Sequence, residues 1–315
     1  MTRILANDGI TAGGKEALEQ AGFEVITENV PQENLMEELK NYDAVLVRSA
    51  TKIRKDLIDG CPNIRLIGRG GVGMDNIDVE YAREKGVEVI NTPAASSESV
   101  AELVFAHLLG LARFLPDSNR NMPLTGDSKF KEMKKSYAKG IELRGKTMGI
   151  IGIGRIGQAT ARIALGLGMK VVATDPFIDK VTITLNIEGA SDVLVEITTI
   201  PMNDLFKQSD FISLHVPGDG KPVITSKEFA KMKDGVGIIN ASRGGVVKES
   251  DLLKEIEKGK VAFAGLDVFE NEPKPDIRIL MEDQISLTPH IGAATVEAQD
   301  RIGLELAEKI TEFFK

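Results

Sequence analysis

Residues 146–175 read KTMGIIGIGRIGQATARIALGLGMKVVATD, from Lys146 to Asp175, and this stretch decides the fold. An apolar β-branched run leads into a glycine turn, then a helical pattern that Gly168 ends, then a second β-branched run. That order predicts one complete βαβ half-motif. Gly152, Gly154 and Gly157 spell GxGxxG inside it. Alone the pattern arises often by chance; here it follows a strand, opens a helix, and precedes an acid, Asp175, at the end of the next strand about twenty residues on. Gly152 permits the tight turn, Gly154 lets a pyrophosphate approach the backbone, and Gly157 lets helix and strand pack closely. Free N–H groups and the helix dipole favour an anion there. Asp175 accepts hydrogen bonds from ribose hydroxyls and repels a 2′-phosphate, which selects NAD over NADP. Gly152, Gly154, Arg155, Ile156, Gly157 and Asp175 are thus the expected cofactor contacts.

Working outward, β-branched runs alternate with helical patterns along the whole chain, the signature of an α/β fold with parallel sheets. Strands are expected near 3–7, 24–27, 44–47, 65–67 and 87–90, and a second set at 211–214, 236–240, 262–266 and 285–287. Between the two sets, Ser99 and Glu102 stand in capping-box spacing before a long, largely buried helix from Ser97 to Arg113. Pro116 to Gly140 lacks periodicity and reads as an irregular surface excursion. From Val181 to Ile197 apolar residues alternate on either side of a turn at Glu188 to Asp192, which predicts a β-hairpin, read as a surface elaboration in preference to a role in subunit contact or at the adenine pocket.

Composition narrows the function. With 315 residues, about two domains are expected. Asp and Glu number 47 against 39 Lys and Arg, for a net charge of -8, so nucleic acid is not an expected partner. The single cysteine, Cys61, and a polar start without a secretory pattern point to a reducing cytoplasm. No apolar run is long enough to span a membrane. Three histidines and one cysteine leave little for a zinc site, and no metal is expected.

A bound nicotinamide implies hydride transfer, which needs a proton donor titrating near neutrality and a cation for an anionic substrate. His107 lies mid-helix among apolar neighbours and reads as a packed core residue. His215, after a strand of the nucleotide sheet, borders the cofactor or is structural. His290, in LTPHIGAAT, lies on a loop and is the best donor. Arg243, in NASRGG, follows another strand and offers a planar fork for a carboxylate and its neighbouring carbonyl, or is a surface arginine. Glu272, in GLDVFENEP, beside His290 would favour the charged imidazole and fix its tautomer, although on residues alone an exposed loop glutamate is the plainer reading.

VRSATKI (Val47 to Ile53), GRGGVGMDNID (Gly68 to Asp78), NTP at Asn91, the GIGRIG turn, NASRGG, GLDVFENEP and TPHIGAAT follow one another along nearly the whole chain. In that order and spacing the sequence resembles the D-isomer-specific 2-hydroxyacid dehydrogenases, most of all their phosphoglycerate-oxidising branch. The resemblance implies two Rossmann-like or flavodoxin-like parallel-sheet domains with the active site in the cleft between them. Residues 1–95 and 289–315 would form the substrate domain, and 96–288 the NAD domain. It implies that Arg243 binds substrate carboxylate and carbonyl, that His290 is the acid/base, and that Glu272 is its partner, overturning the plainer reading. Val72 and Gly73 would meet the substrate carboxylate through their backbone. Asp267 would face the nicotinamide carboxamide, with His215 and Pro217 and, more weakly, Ala241 and Thr174 lining the cofactor. Arg48 is the first choice for a substrate phosphate, with Arg69 and Lys135 second.

The implied reaction is NAD-dependent oxidation of 3-phospho-D-glycerate to 3-phosphohydroxypyruvate, for serine synthesis. The alternatives are the same chemistry on hydroxypyruvate, glyoxylate or D-lactate, and an NAD-sensing binding protein of the corepressor kind. A homodimer through the long helix and the segment after it is implied. The sequence stops at Lys315, so the small regulatory domain of many phosphoglycerate-oxidising relatives is not expected.

Overall fold

Five short apolar runs form the parallel strands β1 (Arg3–Ala6), β2 (Glu24–Ile26), β3 (Ala44–Val47), β4 (Leu66–Arg69) and β5 (Glu88–Asn91). Their order is β2-β1-β3-β4-β5, with every pairing parallel. All four residues of β3 are buried, as a strand covered on both faces must be. The order reverses between β1 and β3, so the loops that follow these two strands diverge and leave a crevice. One face is covered by the Ala12–Gln20 helix and the closing helix Val296–Phe314, whose Ala298, Ile302, Gly303, Leu306, Ala307 and Ile310 recur at helical spacing and are buried. The two helices cross closely: a Cβ on Gly14 would stand 2.8 Å from the Gly303 backbone.

The second sheet contains β6 (Thr147–Ile151), β7 (Lys170–Thr174), β10 (Phe211–Leu214), β11 (Val236–Asn240), β12 (Val261–Leu266) and β13 (Ile285–Leu287), in the all-parallel order β13-β12-β11-β10-β6-β7. The intervening strands β8 (Lys180–Leu185) and β9 (Val193–Thr198) pair with each other antiparallel. Ile183 and Ile197 are buried against the core beneath the Arg155–Gly166 helix, while Lys180 and Glu196 form an ion pair on the exposed face. The hairpin therefore continues the apolar cover past the edge strand β7, which it joins through the Ala173–Thr199 bridge.

This computed structural model describes every residue from Met1 to Lys315 and divides the chain into two compact units, Met1–Ser97 with Ala293–Lys315, and Glu98–Gly292. The return to the first unit falls at residue 293, four residues after the expected 289. The reason is local: the Asp267 carboxylate of the second unit holds the N–H groups of Ile291 and Gly292, each at 2.8 Å.

Two expectations need correction. The segment 116–140 is mostly helical, with helices at Leu115–Thr125 and Phe130–Ser136 and a 3₁₀ turn at Tyr137–Lys139. Neither helix buries a residue, so neither imprints an apolar period; polar contacts hold them, among them the Tyr137 hydroxyl donating to Asp117 at 2.8 Å. The long helix runs Ser97–Ala112, so Ser99 lies within its first turn and is not its cap. No single helix is long and apolar enough to cross a membrane.

Candidate active site

The glycine turn between β6 and the Arg155–Gly166 helix has the shape a pyrophosphate needs. Gly152 lies at φ +91°, and a Cβ there would come within 2.4 Å of the His215 carbonyl oxygen. A Cβ on Gly157 would strike Gly152 O at 2.1 Å, whereas one on Gly154 would project into open space. Gly154 caps the helix with no side chain bonded to its first N–H groups, leaving these donors for a ligand. Arg155 is exposed, and Ile156 packs into the core. At the end of β7, Asp175 is oriented by the N–H groups of Ile153 and Phe177, both at 2.9 Å. These residues fit NAD.

His215 borders the same turn: its N–H donates to Ile151 O at 2.8 Å and its Nε2 lies 2.9 Å from Ser213 Oγ. Burial pushes its pKa down to about 3, so the ring is neutral at neutral pH. Pro217, two residues on, is exposed.

Arg243 is placed by the turn after β11. Asn240 Oδ1 accepts from Ser242 N at 3.1 Å and Ser242 Oγ at 2.7 Å, and its amide donates to Arg243 O at 2.9 Å. The buried Ala241 lies inside this turn. The Arg243 guanidinium is half-buried and donates to Ser242 O at 2.7 Å. Gly244 then packs on the neighbouring loop, where a Cβ would sit 1.8 Å from Phe269 O. Only a glycine permits that approach. The same Phe269 donates its N–H to Glu272 Oε1 at 3.0 Å. The NASRGG and VFENEP segments thus meet backbone to backbone.

Glu272 Oε2 lies 2.8 Å from His290 Nδ1. With Nδ1 turned to a carboxylate, Nε2 is the nitrogen presented outward, and the ring is exposed. His290 has φ +56°, a left-handed conformation that few non-glycine residues adopt. The loop on either side over-determines it. The carboxylate of Asp267, at the end of β12 and 1% exposed, accepts from Thr288 Oγ1 at 2.6 Å, Ile291 N at 2.8 Å and Gly292 N at 2.8 Å. The turn that carries His290 is thus held by Asp267, the residue expected to face the carboxamide. Thr288 and Asn240 were not singled out from the sequence, because their value depends on which strands become neighbours.

The first unit holds its motifs by the same means. Asp8, after β1, accepts from Arg48 N at 2.6 Å, Thr51 N at 3.1 Å and Thr51 Oγ1 at 2.6 Å. The Asn76 amide donates to Arg48 O and Thr51 O, at 2.7 and 2.6 Å, joining VRSATKI to the glycine-rich loop. That loop is bonded in turn to the NTP segment: Gly71 N donates to Thr92 Oγ1 at 2.7 Å and Asn91 Nδ2 to Val72 O at 2.8 Å. Val72 and Gly73 are half-buried. Arg48 is exposed and lines a cavity of about 250 Å³ with Asp8, Thr11, Gly70, Gln299 and Ile302. Arg69 turns its guanidinium back onto Gly70 O at 2.9 Å. Lys135, exposed on the Phe130–Ser136 helix, belongs to the other unit.

The model of the D-isomer-specific 2-hydroxyacid dehydrogenase NAD-binding domain matches residues 105–292. A hydroxypyruvate reductase of Thermotoga maritima is 43% identical over 98% of this chain and 97% of its own. A D-3-phosphoglycerate dehydrogenase of Methanocaldococcus jannaschii is 40% identical over 100% of this chain, which spans 58% of that protein's length. The solved holo structure of Rhodotorula graminis D-mandelate dehydrogenase superposes with a TM-score of 0.86 at 25% identity, covering 99% of this chain and 94% of the other.

Proposed function

The chain belongs to the D-isomer-specific 2-hydroxyacid dehydrogenase family, an NAD-binding oxidoreductase, and from that premise we propose that it oxidises 3-phospho-D-glycerate to 3-phosphohydroxypyruvate. The observation that carries the chemistry is the 2.8 Å contact of His290 Nδ1 with Glu272. It leaves Nε2 to take the hydroxyl proton. NAD, when bound, supplies the hydride acceptor for the C2 hydrogen of the substrate. As the C2–H and O–H bonds break and the carbonyl forms, His290 Nε2 takes the hydroxyl proton, while the C2 hydride would go to the cofactor. Glu272 stabilises the imidazolium that results. Arg243 pairs with the carboxylate and with the oxygen that becomes the carbonyl. Asp175 holds the adenosine ribose, with the glycine turn on the pyrophosphate.

We assign NAD to the unit Glu98–Gly292 and substrate recognition to the other, through the backbone of Val72 and Gly73. The exposed guanidinium of Arg48, beside its cavity, is the cation for the phosphate, with Arg69 and Lys135 as lesser candidates. A second reading, reduction of hydroxypyruvate, is favoured by the full-length match to the T. maritima reductase. Leu109, Leu115, Leu124 and Phe130 are exposed on the Ser97–Ala112 helix and the two after it, a surface suited to a homodimer. The lone buried thiol of Cys61 accords with a reducing cytoplasm.

The test follows NADH by absorbance with 3-phospho-D-glycerate, D-glycerate and D-lactate in parallel, trapping the keto product, and with hydroxypyruvate plus NADH. Turnover that strongly favours the phosphorylated acid supports the first reading. Turnover confined to hydroxypyruvate and D-glycerate replaces it with the second. Light scattering that reports a monomer would refute the dimer.

A further inference from the structure

His107 is buried, titratable and unused by the reaction, yet it is not packed as an apolar side chain would be. It sits on the Ser97–Ala112 helix at 3% exposure, against β12 and β13. Gly265 on β12 makes room for it, since a Cβ there would stand 2.7 Å from the His107 Cβ. Its Nδ1 lies 2.8 Å from Ser286 Oγ and its Nε2 lies 3.0 Å from Thr288 Oγ1. The Thr288 hydroxyl gives its only proton to Asp267, at 2.6 Å. It can therefore only accept from the ring, which fixes the proton on Nε2 and leaves Nδ1 to accept from the Ser286 hydroxyl. Burial lowers the His107 pKa, with Asp267 the one charge acting in the other direction, so this neutral tautomer persists at neutral pH.

We propose that His107 is a positioning residue for His290, acting through Thr288 and Asp267. The chain runs in one direction: Ser286 Oγ–H to Nδ1, Nε2–H to Thr288 Oγ1, Thr288 Oγ1–H to Asp267. At its far end the Asp267 carboxylate grips Ile291 N and Gly292 N, the two N–H groups that follow His290. A helix far along the sequence thereby fixes the rotamer of Thr288 and the carboxylate that imposes the left-handed backbone of His290. The inference rests on the reading of His290 as acid/base, and its test separates the two.

The chain has only three histidines, His107, His215 and His290, so protein labelled with ¹⁵N in the imidazoles, loaded with NADH, gives three resolvable rings in long-range ¹H–¹⁵N spectra. His107 is expected with Nε2 protonated and Nδ1 bare. In His107→Leu, kcat should fall about tenfold with KM for NAD unchanged, the scale expected when a reacting group is slightly misplaced, and the His290 resonances should shift. His107→Gln keeps one donor and one acceptor and should return kcat to within about twofold of wild type. Thr288→Val cuts the chain without changing the helix and should reproduce the His107→Leu values, which keeps the test open if that variant does not fold. An Nδ1-protonated His107, a wild-type kcat in His107→Leu or Thr288→Val, or equal losses in Leu and Gln with His290 resonances unmoved would each overturn the proposal. If His290→Ala keeps wild-type turnover, the acid/base reading fails instead, while the His107 tautomer and its effect on the His290 ring remain readable.

Discussion

Asp8 and Asp267 do the same job in the two units, and the difference between them is instructive. Each follows a strand, β1 or β12, and each accepts one threonine hydroxyl and two backbone N–H groups from the loop after an adjacent strand. Asp8 shapes the loop that begins at Arg48, and Asp267 shapes the loop that carries His290. Asp267 is 1% exposed and backed by a buried histidine, whereas Asp8 is half-buried and lines an open cavity. A carboxylate in a dry, fully bonded setting fixes its loop more stiffly than one beside solvent, because any rearrangement strands a buried polar group. The stiffer loop carries the proposed proton transfer, which depends on tenths of an ångström. The other carries an exposed cation, for which tolerance suffices.

The two carboxylates themselves are the sites where substitution should separate the units most. Asp267→Asn puts an amide where three donors converge, and kcat should fall about 100-fold through displacement of His290. Asp8→Asn makes the same chemical change in the first unit, yet it should raise KM for the acid about tenfold, a loss of about 1.4 kcal/mol, and leave kcat near wild type. Steady-state kinetics on both variants check this; equal kcat losses would remove the distinction. Arg48→Ala comes next: KM for 3-phospho-D-glycerate should rise about tenfold, and KM for D-glycerate much less. An equal rise for both acids would take the phosphate away from Arg48.

The two units also differ in how their stability responds to pH. All three histidines lie in the unit Glu98–Gly292. Burial lowers the pKa of His107 and of His215, the latter to about 3. In the unfolded chain both titrate near about 6.5. Below that pH the unfolded state binds protons that the native state refuses, so stability falls as pH falls, by up to about 1.4 kcal/mol per unit per histidine, and levels off above it. Hydrogen exchange from about pH 7 to about pH 5 should weaken protection in β10 and β12 and leave β1 and β3 nearly constant. A parallel decline in both sheets would contradict this.

Much of this was legible in the residues. The GIGRIG turn, Asp175, the buried strands and the Val181 to Ile197 hairpin each carry a local signature of period, glycine or terminal acid. The helices at Leu115–Thr125 and Phe130–Ser136 escaped because they bury nothing, and periodicity records only what is buried. The supports of the site escaped for another reason. Asp8 reaches Arg48 and Thr51 only because β1 lies beside β3, and His107 reaches Ser286 and Thr288 across 179 and 181 residues of sequence. Such pairs are set by strand order, which no local pattern encodes. The pairing of Glu272 with His290 was available from resemblance, while the residues alone favoured a solvent-exposed glutamate.

If His290, held against Glu272, moves the proton in an NAD-dependent oxidation, its removal must cost turnover and spare the cofactor. The measurement that tests it most directly sets wild type against His290→Ala, recording NADH binding by fluorescence and turnover by absorbance on the same preparations with the acid that the wild type prefers. The expected result is unchanged NADH affinity with kcat reduced about 10²- to 10⁴-fold. Unchanged turnover in the variant would contradict the claim and send the search for the proton acceptor elsewhere in the site.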